Sequence, residues 1–157
     1  MNRPSVILAA DEGRRLQVLA DRVRVLATGE QTDHRYELFV GEGDEGSGPP
    51  PHAHPWDEAF FVLEGVVELW VDGRRLRADA GAFALAPADT VHSFRIASPH
   101  ARFVVVTSGG TASASASALF EALDREIGFP PPSLDAVGAI AARQGVRLAD
   151  APATAQS

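Results

Sequence analysis

The sequence predicts an all-β domain, an antiparallel sandwich or barrel, followed by a short α-helical tail. Three observations carry this. About ten short apolar or alternating runs are separated by turn signals every 8 to 12 residues or so. No strand–helix–strand spacing is present, and no helical period begins before residue 117. Between Ala82 and Ala86 small and large residues alternate, which suits the tapered interior of a barrel.

Taken in order, Ser5 to Ala9 is a short apolar run, read either as a strand or as an arm that pairs with another subunit. Leu16 to Leu19 and Arg22 to Ala27 follow, the second alternating Arg with Val, as a strand with one wet face does. Thr28 to Asp33 reads as a turn and Tyr36 to Gly41 as the next strand. A Gly- and acid-rich stretch then leads into Pro49, Pro50 and Pro51. Each proline fixes its own φ and keeps its predecessor out of the helical region, so the approach to His52 is held extended. Ala59 to Leu63 folds back as a strand, and Glu64-Gly65 turns into Val66 to Val71. Asp72-Gly73 is the strongest short hairpin signal in the chain. Arg74 to Ala78, Ala82 to Ala86, His92 to Ile96 and Ala101 to Val106 complete the strands.

These runs place the barrel in residues 1–108 and a low-complexity Gly/Ser/Ala link in 109–118. A helical tail spans 119–148. Leu119, Phe120, Leu123 and Ile127 share one helical face, with Gly128 at the exit. Ser133 can cap a second helix with Leu134, Val137, Ile140 and Ala141 on one face. Val146 to Leu148 is a last extended piece, and 149–157 are expected to be disordered. The tail is expected against the outside of the barrel or a partner subunit, with a lid over the barrel mouth as the alternative.

Composition closes several routes. At 157 residues the chain is one domain able to bury roughly 70% of its unfolded surface. It has no cysteine, which excludes disulfides, iron–sulfur ligation and thiolate nucleophiles. It has no lysine either, so Schiff-base chemistry is unavailable. A net charge of −7 and the lack of a basic helix argue against nucleic acid. No apolar run approaches membrane-spanning length, and the N-terminus lacks the order of a signal peptide, so a cytoplasmic protein without a membrane partner is expected.

What remains is His, Asp, Glu and Tyr, and three of the five histidines fall between residues 46 and 96. His52 and His54, two apart on an extended segment, point to the same side. Pro55 interrupts the strand ladder, Glu58 begins the returning strand, and His92 opens a later one. Four nitrogen and oxygen donors can therefore meet in one pocket, a set that suits zinc, copper, iron, nickel or manganese. His34 and His100 lie beside turns and are expected at the surface.

The spacing resembles the cupin superfamily. Its first motif, Gly, five residues, His-x-His, three or four residues, Glu, six residues, Gly, is matched in full by Gly46, His52, His54, Glu58 and Gly65. Its second motif is matched by Gly81, Pro87 and His92, with Asp89 in a Gly place and Ile96 in an Asn place. Asp tolerates the left-handed conformation, so the turn at Asp89 should survive; Ile96 removes one polar group from the lining.

The resemblance implies a double-stranded β-helix, or jelly-roll, cupin barrel. It also implies one divalent transition metal ion (iron, manganese, nickel, zinc, copper or cobalt) on His52, His54, Glu58 and His92. Glu58 is then ligand and proton acceptor, and Trp56, Phe60 and Phe94 are the candidates to contact a small-molecule substrate. The expected activity is that of a dioxygenase on an enol, catechol or flavonol-like compound, by analogy with small members near quercetin dioxygenase. The alternatives are a metal-dependent isomerase, lyase or cyclase on a carbonyl compound, and a non-catalytic ligand-binding module. A homodimer formed through sheet edges is expected.

Overall fold

In the computed structural model, which describes residues 3–131 and 133–150, the chain forms two antiparallel sheets. The strands are β1 (Arg15–Val18), β2 (Asp21–Ala27), β3 (Glu37–Asp44), β4 (His52–Ala53), β5 (Asp57–Glu64), β6 (Val66–Val71), β7 (Arg74–Asp79), β8 (Phe83–Ala86), β9 (His92–Ile96), β10 (His100–Ser108) and β11 (Arg147–Leu148). One sheet runs β1-β2-β3-β10-β5-β8 and the other β11-β4-β9-β6-β7. This is the expected jelly roll. The helices are α1 (Gly29–Thr32), α2 (Ala116–Glu126) and α3 (Leu134–Arg143).

Period-two alternation puts one face of each long strand inside. In β3 Glu37, Phe39, Gly41 and Gly43 are buried, and in β10 Ala101, Phe103, Val105 and Thr107 are. The inner faces of the two sheets meet in a core that includes Phe39, Phe60, Val62, Val67, Leu69, Ile96 and Phe103. Turn chemistry sets the register. Asp72 and Gly73 both have positive φ, 50° and 73°, as a two-residue hairpin of the primed type requires. Gly65 has φ 78°, and any side chain there would collide with the carbonyl oxygen of His100.

Four expectations change, the first only in its strand alternative. Ser5 to Ala9 is exposed and pairs with no strand among the described residues. Thr28 to Asp33 is more than a turn: Thr28 and Gln31 form a reciprocal capping box that closes one helical turn, α1, well before residue 117. The low-complexity stretch is also shorter than expected. Thr111 and Ala114 bridge one another, and the Ser115 hydroxyl accepts from Ala118 N–H and starts α2 at Ala116. Ala149 donates its N–H to the carbonyl of Pro51 at 2.8 Å, so order persists past the point where disorder was expected; residues 151–157 lie outside the described ones.

The helices sit across the β1 side of the barrel. α2 buries Leu119, Ala122 and Leu123, and Phe120 meets Phe39 edge to face at 5.1 Å. α3 buries Val137, Ile140 and Ala141. Asp124 accepts from the N–H of Gln17 on β1 at 2.8 Å. A stronger tie is the buried carboxylate of Glu37. It accepts from Gly29 N–H (3.1 Å), Thr107 Oγ1 (3.2 Å), Ser117 N–H (3.1 Å) and the Ser117 hydroxyl, so one acid joins α1, β3, β10 and the first turn of α2. Glu37→Ala leaves several buried donors unpaired, and a loss of about 2–4 kcal/mol is expected as a lower urea midpoint.

Candidate metal centre

His52 lies in β4, which is only two residues long, and pairs directly with His92, the first residue of β9. Glu58, on β5, faces Thr107 of β10 on one side and Ala86 of β8 on the other. His54 falls just past β4, in the segment that Pro55 turns toward β5. Two hydrogen bonds fix that segment against the Pro87–Thr90 turn: Asp89 N–H donates to the carbonyl of His54 at 2.7 Å, and Ala88 N–H donates to Asp57 at 2.8 Å. Asp89 adopts φ 62°, so the residue in the glycine place does keep the left-handed turn.

The ligand-type atoms of His52, His54, Glu58 and His92 all lie within 4.8 Å of one another. Each imidazole is aimed by the same device. Nδ1 of His52 faces the carbonyl of Pro50, that of His54 the carbonyl of Trp56, and that of His92 the carbonyl of Thr90, each at 2.8 Å. A carbonyl only accepts, so each Nδ1 carries the proton and each Nε2 is turned to the common centre. There His54 and His92 approach the same oxygen, Glu58 Oε2, at 2.8 and 3.0 Å. With bare Nε2 atoms those contacts would set lone pair against lone pair. They require either protons on the imidazoles or a shared cation.

The electrostatics point the same way. Burial would raise the Glu58 carboxyl, but the His54 and His92 contacts outweigh it and hold Glu58 well below the usual carboxylate range. Burial also disfavours charge on His92, and Glu58 overcomes it, so His92 is raised. His52, pushed down to about 4 by burial and then by His92, is neutral near pH 7. Ligands about 2.1 Å from one ion lie at most about 4.2 Å apart, so the set needs only a small contraction to hold a divalent metal. Three neutral-capable imidazoles and a carboxylate fit such an ion.

His52, His54 and Glu58 of the cluster form part of the lining of a largely apolar cavity of about 930 Å³, open solvent at its mouth included. Trp56 is only 2% exposed; its indole stacks on His54 at 4.4 Å and 11°, and its Nε1 has no hydrogen-bond partner. Phe60 is buried and Phe94 half-buried, and both line the cavity with Phe103. The sequence reading missed two contributions. Leu119, Leu123, Val137 and Ala141 of the helices line the same cavity. So does Asp21, whose place on the Val23–Val25 face was legible from period two. Burial pushes the Asp21 carboxyl up to about 6, against the pull of the neighbouring Ser47 hydroxyl and Arg22. His34, Arg35 and Arg95 are exposed and outside the site.

Two outcomes follow. Protons and metal compete for Nε2, so affinity for zinc or manganese, read by competition with a colorimetric chelator, should rise with pH as His92, held above its ordinary value by Glu58, loses its proton, and vanish in His92→Ala. Asp21 has its pKa raised on folding, so it costs nothing below about pH 4 and progressively more as pH rises through about 6. Asp21→Asn should therefore be more stable than the parent at pH 7, by up to about 3 kcal/mol, with no gain at pH 4, as measured by urea midpoints.

The model of the cupin domain matches residues 39–107, the stretch that holds all four converging side chains. A quercetin 2,3-dioxygenase from Bacillus subtilis (strain 168) is 33% identical over 125 residues, which is 79% of this chain and 35% of that protein; the chain thus spans about a third of the length of that relative. Among solved structures, KdgF from Halomonas sp. superposes with a TM-score of 0.61 at 19% identity, covering 69% of this chain and 97% of that one. The polyketide cyclase RemF from Streptomyces resistomycificus does so with 0.54 at 24%, covering 68% and 78%. At such identities the structures speak to the fold alone. The sheet order, the placement of the His/Glu group and the domain match agree, and the chain belongs to the cupin superfamily.

Proposed function

We propose that this chain is a metal-dependent dioxygenase acting on a small enol, catechol or flavonol-like substrate. The observation that carries the reading is the convergence of three imidazoles and one carboxylate at the edge of a largely apolar cavity. A divalent transition metal held there would supply Lewis acidity toward an enolate oxygen and a site for dioxygen chemistry. The 33% identity to a quercetin 2,3-dioxygenase supports the substrate class.

The protein's own part is positioning and proton handling. The Nδ1 bonds to backbone carbonyls keep the imidazoles from turning away. Glu58 stays ionised in a buried setting; held so far down it is a weak base, and it would take the hydroxyl proton of an enol only where a bound cation acidifies that hydroxyl. Phe60, Phe94 and Trp56 offer faces for an aromatic ligand and keep water from the reacting carbon. Homodimerisation in a cytoplasmic setting completes the proposal. No helix among the described residues is long and apolar enough to cross a membrane.

Oxygen uptake with a panel of flavonols and catechols, compared between metal-loaded and chelated protein, tests this. Uptake should depend on metal, return on its readdition, and fall by about 100-fold or more in Glu58→Gln. Proton exchange or isomerisation of a carbonyl compound without oxygen uptake would replace the dioxygenase with a Lewis-acid isomerase, lyase or cyclase.

A further inference from the structure

The outer face of the six-stranded sheet is apolar where a sheet facing water would be polar. Strand alternation turns Ala59 and Phe61 of β5 outward, while Glu58, Phe60 and Val62 point into the barrel. The register then lines up two apolar rungs across four strands. Val40, Val104, Phe61 and Phe83 form one. Leu38, Val106, Ala59 and Leu85 form the next. Phe61 is 43% exposed, Phe83 59% and Leu85 49%, so the described chain leaves this end of the rungs open. A third rung is ionic. Arg22, Glu42, Arg102 and Glu64 follow one another on β2, β3, β10 and β5, alternating in sign, with contacts of 3.0, 3.9 and 4.0 Å.

The edges of the two sheets are poorer places for a partner. β1 already gives the Gln17 N–H to Asp124 of α2, and β11 is two residues long. β7 carries Arg74, Arg75 and Arg77, and β8 has four residues and runs into Pro87, which has no N–H to offer. The face, by contrast, fits itself. A two-fold axis along the strands, between β5 and β10, sets Phe61 over Val104 of a second copy and Phe83 over Val40. It also sets Arg102 over Glu64, because an alternating row of charges reversed end to end presents opposite signs to itself. That matters for a chain of net charge −7, which repels its own copies elsewhere. Four strands about 4.8 Å apart and three rungs about 6.8 Å apart give a footprint of roughly 400 Å², and its corrugated surface approaches the roughly 600 Å² per partner of a weak specific complex.

We propose that a second copy of this chain docks face to face on the outer surface of β3, β10, β5 and β8, with Phe61 beside the two-fold axis and Arg102 of each copy paired with Glu64 of the other. This rests on the homodimerisation proposed above and gives it a surface. It is independent of the dioxygenase reading, since Phe61, Phe83, Arg102 and Glu64 do not line the cavity of the His/Glu cluster.

Sedimentation velocity on the full chain, from about 1 to about 200 µM, reads the assembly; the parent should pass from one chain to two in the micromolar range that so small a face supports. Phe61→Glu should raise the dimer Kd by about 100-fold or more, and the milder Phe83→Ser by about 10-fold, with circular dichroism and urea midpoint unchanged because both side chains are exposed. Arg102→Glu and Glu64→Arg should each raise Kd by about 10-fold or more, since like charges then face one another twice per dimer. An equimolar mixture of these two variants should pair within about 3-fold of the parent, because every facing couple in the mixed dimer is again of opposite sign. A parent that is a single chain at the highest concentration overturns both the face and the homodimer. A dimer unmoved by Phe61→Glu and Phe83→Ser, or a mixture no tighter than its separate components, overturns the face and leaves the homodimer to another surface.

Discussion

Three hydrogen bonds from imidazole Nδ1 atoms to backbone carbonyls are the constraint on which the site depends. Each acceptor lies two residues from its histidine: Pro50 before His52, Trp56 after His54 and Thr90 before His92. The local backbone therefore chooses the tautomer and the ring direction before any ligand arrives. The extended proline run and the turn at Asp89 present two of those carbonyls, so residues without chemistry of their own set the chemistry of the ones that have it.

The cost of this arrangement is borne by burial. A carboxylate and two imidazoles in contact, almost out of reach of water, are stable only when charge is shared among them or with a cation. The apolar lining strengthens every such interaction by excluding water. Trp56 Nε1 is buried beside it without a hydrogen-bond partner. The cavity is thus sparse in polar groups and well defined in where it has them, which is how a pocket separates similar ligands.

Most of the barrel was legible in the sequence, because strand alternation and turn residues act locally. Val66–Val71 and His92–Ile96 are bounded as their patterns indicate, and Asp72-Gly73 forms the expected hairpin turn. The four converging donors were legible for the same reason: motif spacing on short strands leaves little freedom. Asp21 was not picked out although strand alternation puts it on the face of Val23 and Val25; the cavity-lining faces of α2 and α3 were not, since which element covers a barrel depends on tertiary packing that no local period encodes. α1 was missed for a different reason. Four residues give almost no period, and only the Thr28/Gln31 capping pair marked it.

β4 is too short to stand alone: its two residues are flanked by β9 on one side and by β11 on the other. Leu148 pairs with His52 itself, and Ala149 binds the carbonyl just before it. During synthesis, then, a nascent chain whose barrel strands have all left the ribosome still lacks the flanking ribbon for its first histidine. The strand pairing that backs that histidine therefore waits on residues more than ninety positions downstream of it.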